Sequence, residues 1–374
     1  MTRPVPLETP PYYDVEQRRT LVISALAIII ATAAFFVARL LLAAIALVTN
    51  ISFHGSFSAT VGATPLGNHL GLWVIIVPVI GGLIVGVMAR YGSGAIRGHG
   101  IPEAMEQILL NESKISPKVT ILKPLSAAIA IGTGGPFGAE GPIIATGAAL
   151  GSLVGQVFHT TPDERKTLLA AGAAAGMAAV FGTPVSAVLL AIELLLFEYR
   201  PRSLIPVAFA AAVASGLRIL FEGSDAIFAM QQLMQPSGEA LMTYVVLGAI
   251  IGVASVFITR SLYIIEEGFE KLPIHWMWWP AIGAVAVGVI GYFEPRTLGV
   301  GYYNISEILA GNVLGVALLS LVVLKFVSWA IALGSGTSGG TLAPLFTIGG
   351  GLGALLGVLC VHWFPSLGVD PRIA

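Results

Sequence analysis

Charge is what this sequence has least of. Of its 374 residues, 10% are Asp, Glu, Lys or Arg, against about 25% in an average soluble domain. The 19 basic and 20 acidic residues nearly cancel, so no basic surface for a nucleic-acid partner is expected. There is one cysteine, Cys360, inside an apolar run. That excludes a disulfide framework and any multi-cysteine metal site, and no cofactor is expected. Apolar residues are abundant, at 56% of the chain with a mean hydropathy of +0.89, which excludes an ordinary soluble globular domain. A spanning helix needs about 20 apolar residues, so this length allows roughly ten membrane segments. The class so defined is an all-α integral membrane protein, multi-pass, with the lipid bilayer as its surroundings. The 45 glycines and 22 prolines are too many for straight helices and fit broken, closely packed ones.

Residues 1–20 are polar and proline-bearing, with Arg18 and Arg19 just before the first apolar run. They read as a cytoplasmic arm by the positive-inside tendency. Residues 21–48 are too long for the apolar core of a signal peptide and are expected to be a retained span. Further apolar runs cover 70–89, 121–131, 143–158, 168–180, 185–197 and 204–220, then 241–258, 279–293, 313–333 and 345–364 after a polar break at 222–239. Several are shorter than a full span and carry glycine or proline at their ends. Helices that stop inside the membrane are tolerated only where protein or a cavity surrounds the broken backbone. One membrane domain, residues 21–374, is expected.

The chain resembles itself at an offset of 202 residues. Gly132, Gly134, Gly138 and Pro142 align with Gly334, Gly336, Gly340 and Pro344. Lys123 aligns with Lys325, and Gly147, Gly151 and Gly155 with Gly349, Gly353 and Gly357. At an offset of 201, Gly98 and Gly100 meet Gly299 and Gly301. Two structural halves characterise many transporter folds, with the substrate site where they meet. The expected repeats are residues 70–221 and an incomplete second copy over 241–374. The glycines four residues apart after Gly147 are expected to serve helix packing.

Three segments place glycine before proline at the start of an apolar run. They are Gly98-His99-Gly100-Ile101-Pro102-Glu103, Gly138-Ala139-Glu140-Gly141-Pro142 and Gly340-Thr341-Leu342-Ala343-Pro344. Proline in a first helical turn loses no hydrogen bond, and glycine lets the backbone approach an ion. The first-turn amides and the positive end of the helix dipole then face one point, which suits an anion. Glu140 stands apart, because an ionisable group within a membrane is expensive and points to function. Its carboxylate can occupy the same electropositive place as an anion, and protonation releases it.

Together, in this order and spacing, the three segments resemble the signature motifs of the CLC family of chloride channels and chloride/proton antiporters. The resemblance covers most of the chain, from the first span to about residue 357. It implies an inverted repeat of tilted and broken helices, and a homodimer with one anion pathway per subunit. It implies transport of chloride or similar small anions, coupled to protons and located in the bacterial inner membrane. Glu140 falls at the family's gating glutamate. His99, where many members carry serine, Gly100, Ile101, Gly141, Leu342 and Ala343 fall around the anion site. Histidine can donate an N–H to an anion, and it is the residue type whose charge changes near neutral pH. The internal proton-transfer glutamate of many antiporters aligns with Leu194, so Glu193, Glu198 or water would have to complete a proton route. The family's tyrosine at the anion site would lie beyond Ala374, which makes the chain resemble a C-terminally shortened member.

Two other readings arise. A passive channel of the same fold also uses the gate, and Leu194 favours it because leucine carries no proton. Gly336-Thr337-Ser338-Gly339 has the form found around an intramembrane protease serine, but it needs a histidine base and only His362 follows it. Lys123 and Lys325 are expected to add positive potential, snorkel or pair with carboxylates. Glu103 is expected to cap or pair at a helix start. Trp276, Trp278 and Trp279 are expected to anchor at the membrane interface.

Overall fold

The computed structural model describes residues 11–230, 233 and 235–374. Among them there is no strand, and thirteen α-helices carry the chain. The first eight are α1 (Pro11–Thr49), α2 (Ile76–Tyr91), α3 (Ile101–Leu110), α4 (Pro117–Gly132), α5 (Glu140–Val157), α6 (Pro162–Phe181), α7 (Pro184–Ala191) and α8 (Pro201–Glu222). The rest are α9 (Gly238–Glu270), α10 (Trp279–Phe293), α11 (Tyr302–Leu309), α12 (Gly315–Gly334) and α13 (Leu342–Trp363). The polar arm expected over 1–20 is helical from Pro11 onward, and its first ten residues lie outside the described ones.

Among the described residues, seven helical segments are long and apolar enough to cross a membrane, fewer than the roughly ten the length allows. The difference has a physical cause. α3, α4, α7 and α11 are too short, α5 is a minimal 18 residues that open on Glu140 and are diluted by glycine, and α6 is rich in alanine and buried on every side between Leu168 and Val180 apart from Met177. A helix wrapped in protein needs no lipid-facing leucine or isoleucine.

The offset in the sequence becomes an offset in helices. α2 and α10 end at Tyr91 and Phe293, α4 and α12 at Gly132 and Gly334, and α5 and α13 begin at Glu140 and Leu342. Each pair is separated by 202 residues. α3 and α11 start at Ile101 and Tyr302, following the 201 register. Among the described residues, the helices α6–α8 have no counterpart at this offset.

The chain divides into two compact units, one of Met1–Val37, Ala104–Pro117 and Ile144–Gly223, the other of Ala38–Glu103, Lys118–Ile143 and Ser224–Ala374. In the first, α6 is the core helix and packs on α7 and α8. A Cβ at Gly147 would lie 2.2 Å from the Gly172 carbonyl oxygen, and one at Gly151 2.0 Å from that of Leu168. These glycines therefore let α5 and α6 touch backbone to backbone, as expected of small-residue packing. α6 opens with a capping box between Thr161 and Glu164, which satisfies two first-turn donors, and Glu164 also binds Arg19. Beyond α7 the backbone widens into a π-turn over Ile192–Leu196. Glu193 is exposed there, while Glu198 accepts from Ser203 Oγ at 2.6 Å and lies 4.0 Å from Lys166.

In the second unit α2 packs against α10, and α12 against α9, α10 and α13. Gly81 and Gly283, 202 residues apart, face Thr133 and Ser335, which are also 202 apart. The two repeats thus use the same small-residue crossing twice.

Candidate anion site at the repeat axis

The centre of the second unit is a backbone contact between the repeats. Gly138 N–H donates to Gly340 O at 2.9 Å, and Gly340 N–H donates to Gly138 O at 2.8 Å. This isolated antiparallel bridge joins two residues that occupy equivalent positions in the repeats. An antiparallel pair exchanging both bonds is two-fold symmetric, so the local axis relating the inverted halves passes through it. Two further backbone contacts join the repeats without following that symmetry. Gly134 O, after α4, accepts from Gly299 N–H of the second repeat at 3.0 Å. In the turn after α12, Gly339 N–H is directed at Gly98 O at 3.4 Å.

All three motif segments meet here. A Cβ on Gly141 would lie 2.0 Å from His99 O and 2.9 Å from Gly340 Cα. Only glycine allows the starts of α3, α5 and α13 this close, which explains the residue at 141. Pro102 and Pro142 lie in the first turns of α3 and α5, and Pro344 in that of α13, where no amide is needed.

Glu140 opens α5 and is 1% exposed. Its Oε1 accepts from Tyr302 Oη at 2.5 Å. The main-chain amides of Glu140 itself and of Ala343 lie within its reach, while Oε2 has no partner in hydrogen-bond geometry. That oxygen folds back over Gly138, where a Cβ would stand 1.7 Å from it. The motif's first glycine therefore makes room for the carboxylate two residues on.

The start of α3 differs. Gly100 N–H donates to Glu103 Oε2 at 2.6 Å, and Gly98, at φ +80°, would place a Cβ 1.8 Å from Glu103 Oε1. Glu103 caps its own helix, as expected, and the Gly100 amide is engaged by it in this conformation. The His99 ring is half-buried, Leu342 is half-buried, and Ala343 is fully buried.

The buried lysines correct one expectation. Neither snorkels. Lys123 Nζ donates to the carbonyls of Ile96 at 2.9 Å, Arg97 at 3.2 Å and Gly98 at 2.9 Å. Lys325 Nζ donates to Thr297 O at 2.8 Å and Gly299 O at 3.0 Å. Each ammonium collects the carbonyls of the glycine loop preceding a short helix. Three donors on a compact head suit that task.

Tyr302 and Arg97 were not singled out in the sequence. Tyr302 follows a Gly-x-Gly that matches the first motif only at an offset one residue different, which hid its position. The Arg97 guanidinium lies 4.9 Å from the ring of Trp276 and 5.7 Å from that of Trp279. Two of the expected interfacial tryptophans therefore carry a cation. Ser338 is buried and its hydroxyl accepts from Ser126 at 3.2 Å; the contact recorded for it is with another serine, not a general base.

These features define a multi-pass helical membrane protein built as an inverted repeat of broken helices, with a buried carboxylate at its axis. Comparison with known proteins gives the family. The model of the voltage gated chloride channel family matches residues 80–374, and the chain belongs to that family. The chain is 30% identical over 321 residues to the H(+)/Cl(-) exchange transporter ClcA of Vibrio campbellii, covering 82% of this chain and 68% of that protein. It is 29% identical over 305 residues to the chloride channel protein CLC-f of Arabidopsis thaliana, covering 76% of this chain and 38% of that protein. Among solved structures it is similar to a slow cyanobacterial Cl-/H+ antiporter, with a TM-score of 0.78, 21% identity and coverage of 95% and 83% of the two chains. A CLC-type fluoride/proton antiporter gives a TM-score of 0.74 at 21% identity, with 94% and 83% covered. Both share the fold. Members of this family are transporters and channels, not enzymes, so the protease reading falls.

Proposed function

We propose that the protein exchanges chloride or a similar small anion for protons across a membrane, with Glu140 as gate and proton carrier. The observation that carries this reading is the Glu140 carboxylate itself. It lies buried where three helix starts meet, with Oε2 lacking a hydrogen-bond partner. A carboxylate held there stands where an anion would stand, since first-turn amides favour negative charge. Protonation removes its charge, the side chain leaves, and an anion takes its place. The amides of Ile101, Gly141, Leu342 and Ala343 are the proposed anion donors, with His99 beside them. Gly100 joins them only if Glu103 releases its amide. The similarity to the H(+)/Cl(-) exchange transporter of Vibrio campbellii supports proton exchange.

The test is Glu140→Gln in the protein reconstituted into liposomes. Anion flux is expected to persist while chloride-driven proton movement falls to background. Unchanged proton movement would sink Glu140 as carrier.

A passive channel is the second reading, favoured by Leu194 in the π-turn and by the channel name of the plant relative. A reversal potential that ignores a pH gradient at fixed chloride selects the channel. The reading includes a homodimer in a bacterial inner membrane. The exposed apolar side chains of α7–α9, including Val185, Phe209 and Val245, offer surface for lipid or a second copy. Counting photobleaching steps of labelled protein in liposomes tests the dimer.

A further inference from the structure

We infer that Tyr302 is a positioning residue that latches the ionised Glu140 side chain in its closed place, an inference that rests on the gate reading above. The phenol donates to Oε1 at 2.5 Å. It is the hydrogen bond from another side chain recorded for this carboxylate.

The tyrosine is held by a braced element. It begins α11, directly after Gly301 at φ +81°, a left-handed conformation that glycine adopts without penalty. The loop before it is tied down by Lys325 on the carbonyls of Thr297 and Gly299. Asn304 Nδ2, in the first turn of α11, adds a bond to Arg296 O at 2.7 Å. The ring of Phe228 meets the Tyr302 ring edge-on, with centroids 5.9 Å apart. The hydroxyl therefore sits at a fixed point, and the flexible member of the pair is the glutamate.

The corresponding positions in the other half are Ile101 for Tyr302 and Leu342 for Glu140. The polar pair occurs on one side of the axis only, so the symmetric scaffold does not require it. A hydrogen bond to a carboxylate is stronger than one between neutral groups. Release of the gate, by a proton or by an incoming anion, must break this bond.

Among the described residues, the other charged or titratable groups near this point include Arg97 against the Gly336 turn, His99 just before α3, Glu103 in its first turn, Lys123 on α4 and Lys325 on α12. Glu103 and both lysines are engaged with main chain.

Tyr302→Phe removes the oxygen and keeps the ring against Phe228. Loss of a donor to the ionised form lets the proton bind at higher pH. The expected result is a rise of about one unit in the pH midpoint of anion flux, with roughly tenfold faster flux on its alkaline side, the size of one charge-assisted bond. Proton coupling is retained, because Glu140 is still present. In a Glu140→Ala background the same substitution is expected to leave flux and pH profile unchanged. Two results overturn the latch: a wild-type profile in Tyr302→Phe, or an equal shift in the Glu140→Ala background. If either occurs while Glu140→Gln still abolishes coupling, Tyr302 alone is refuted and the gate stands.

Discussion

The two repeats share the helix limits nearest their axis and differ in what they do with them. Glu140 and Leu342 open equivalent helices, α5 and α13. One places a carboxylate at the axis and the other an apolar side chain. Lys123 and Lys325 brace equivalent loops, but Lys123 gathers three carbonyls and Lys325 two. Gly147 is pressed against the backbone of α6, whereas its counterpart Gly349 has nothing within 4 Å. The symmetric features are those of the main chain: the Gly138–Gly340 bridge, the helix starts and the braced loops. The asymmetric ones are side chains with chemistry or neighbours. Duplication explains the scaffold, and divergence of a few side chains makes the axis polar on one side.

The glycine pair gives the largest expected contrast. Gly147→Ala forces a methyl into the Gly172 carbonyl, where no side chain can yield, so α5 and α6 must separate. Overpacking of this kind costs about 3 kcal/mol. Gly349→Ala meets no atom and replaces a poor helix former, so it is expected to stabilise by up to about 1 kcal/mol. Thermal unfolding of the purified protein in detergent measures both. Equal effects would show that α13 packs as α5 does and would erase the contrast.

The lysines come next. Lys123→Met and Lys325→Met each strand buried carbonyls, at about 1–3 kcal/mol per unsatisfied group when water cannot replace the donor. Lys325→Met is expected to be worse by roughly 1 kcal/mol, because both carbonyls it strands are buried, whereas those of Arg97 and Gly98 are only half-buried and water can replace Lys123 there. Lys325→Met carries a second signature, since it loosens the loop that positions Tyr302. Its anion flux is expected to shift in the direction of Tyr302→Phe, by about threefold. Lys123→Met has no such route. A reversal of that order in the flux assay would show that the loops do not act through Tyr302.

Much of this scaffold is legible in the sequence because glycine, proline and lysine positions are fixed by main-chain geometry. Gly138 and Gly340 stand out by their spacing, and the structure joins them. Pro142 and Pro344 mark helix starts to within three residues. Glu140 was legible because a carboxylate inside an apolar run needs a reason. The rest was hidden for physical reasons. Tyr302 has an ordinary residue type, and its partner is 162 residues away, so only the folded chain brings them together. The roles of Lys123 and Lys325 depend on which carbonyls turn inward, which no spacing reveals. The α6–α8 segment reads as apolar runs, but the all-round burial of α6 follows from its neighbours and not from its own pattern.

His99 gives the smallest and most discriminating contrast. Its counterpart at the 201 register is Val300, so His99→Val makes the first loop like the second. The backbone there is already fixed: His99 O lies against Gly141, and Lys123 holds the carbonyls on either side of Arg97. Valine loses only the ring, and with it any N–H donor offered to an anion. Stability is therefore expected to change by less than about 0.5 kcal/mol, as for other substitutions away from packed or bonded features. If the imidazole touches the anion, loss of one donor reduces flux or alters the chloride-to-nitrate ratio by about threefold to tenfold. Flux of both anions measures it. Coincident profiles in the two proteins would mean that the first loop, like the second, contributes only its backbone, and that Glu140 with Tyr302 is the whole of the polar chemistry at the axis.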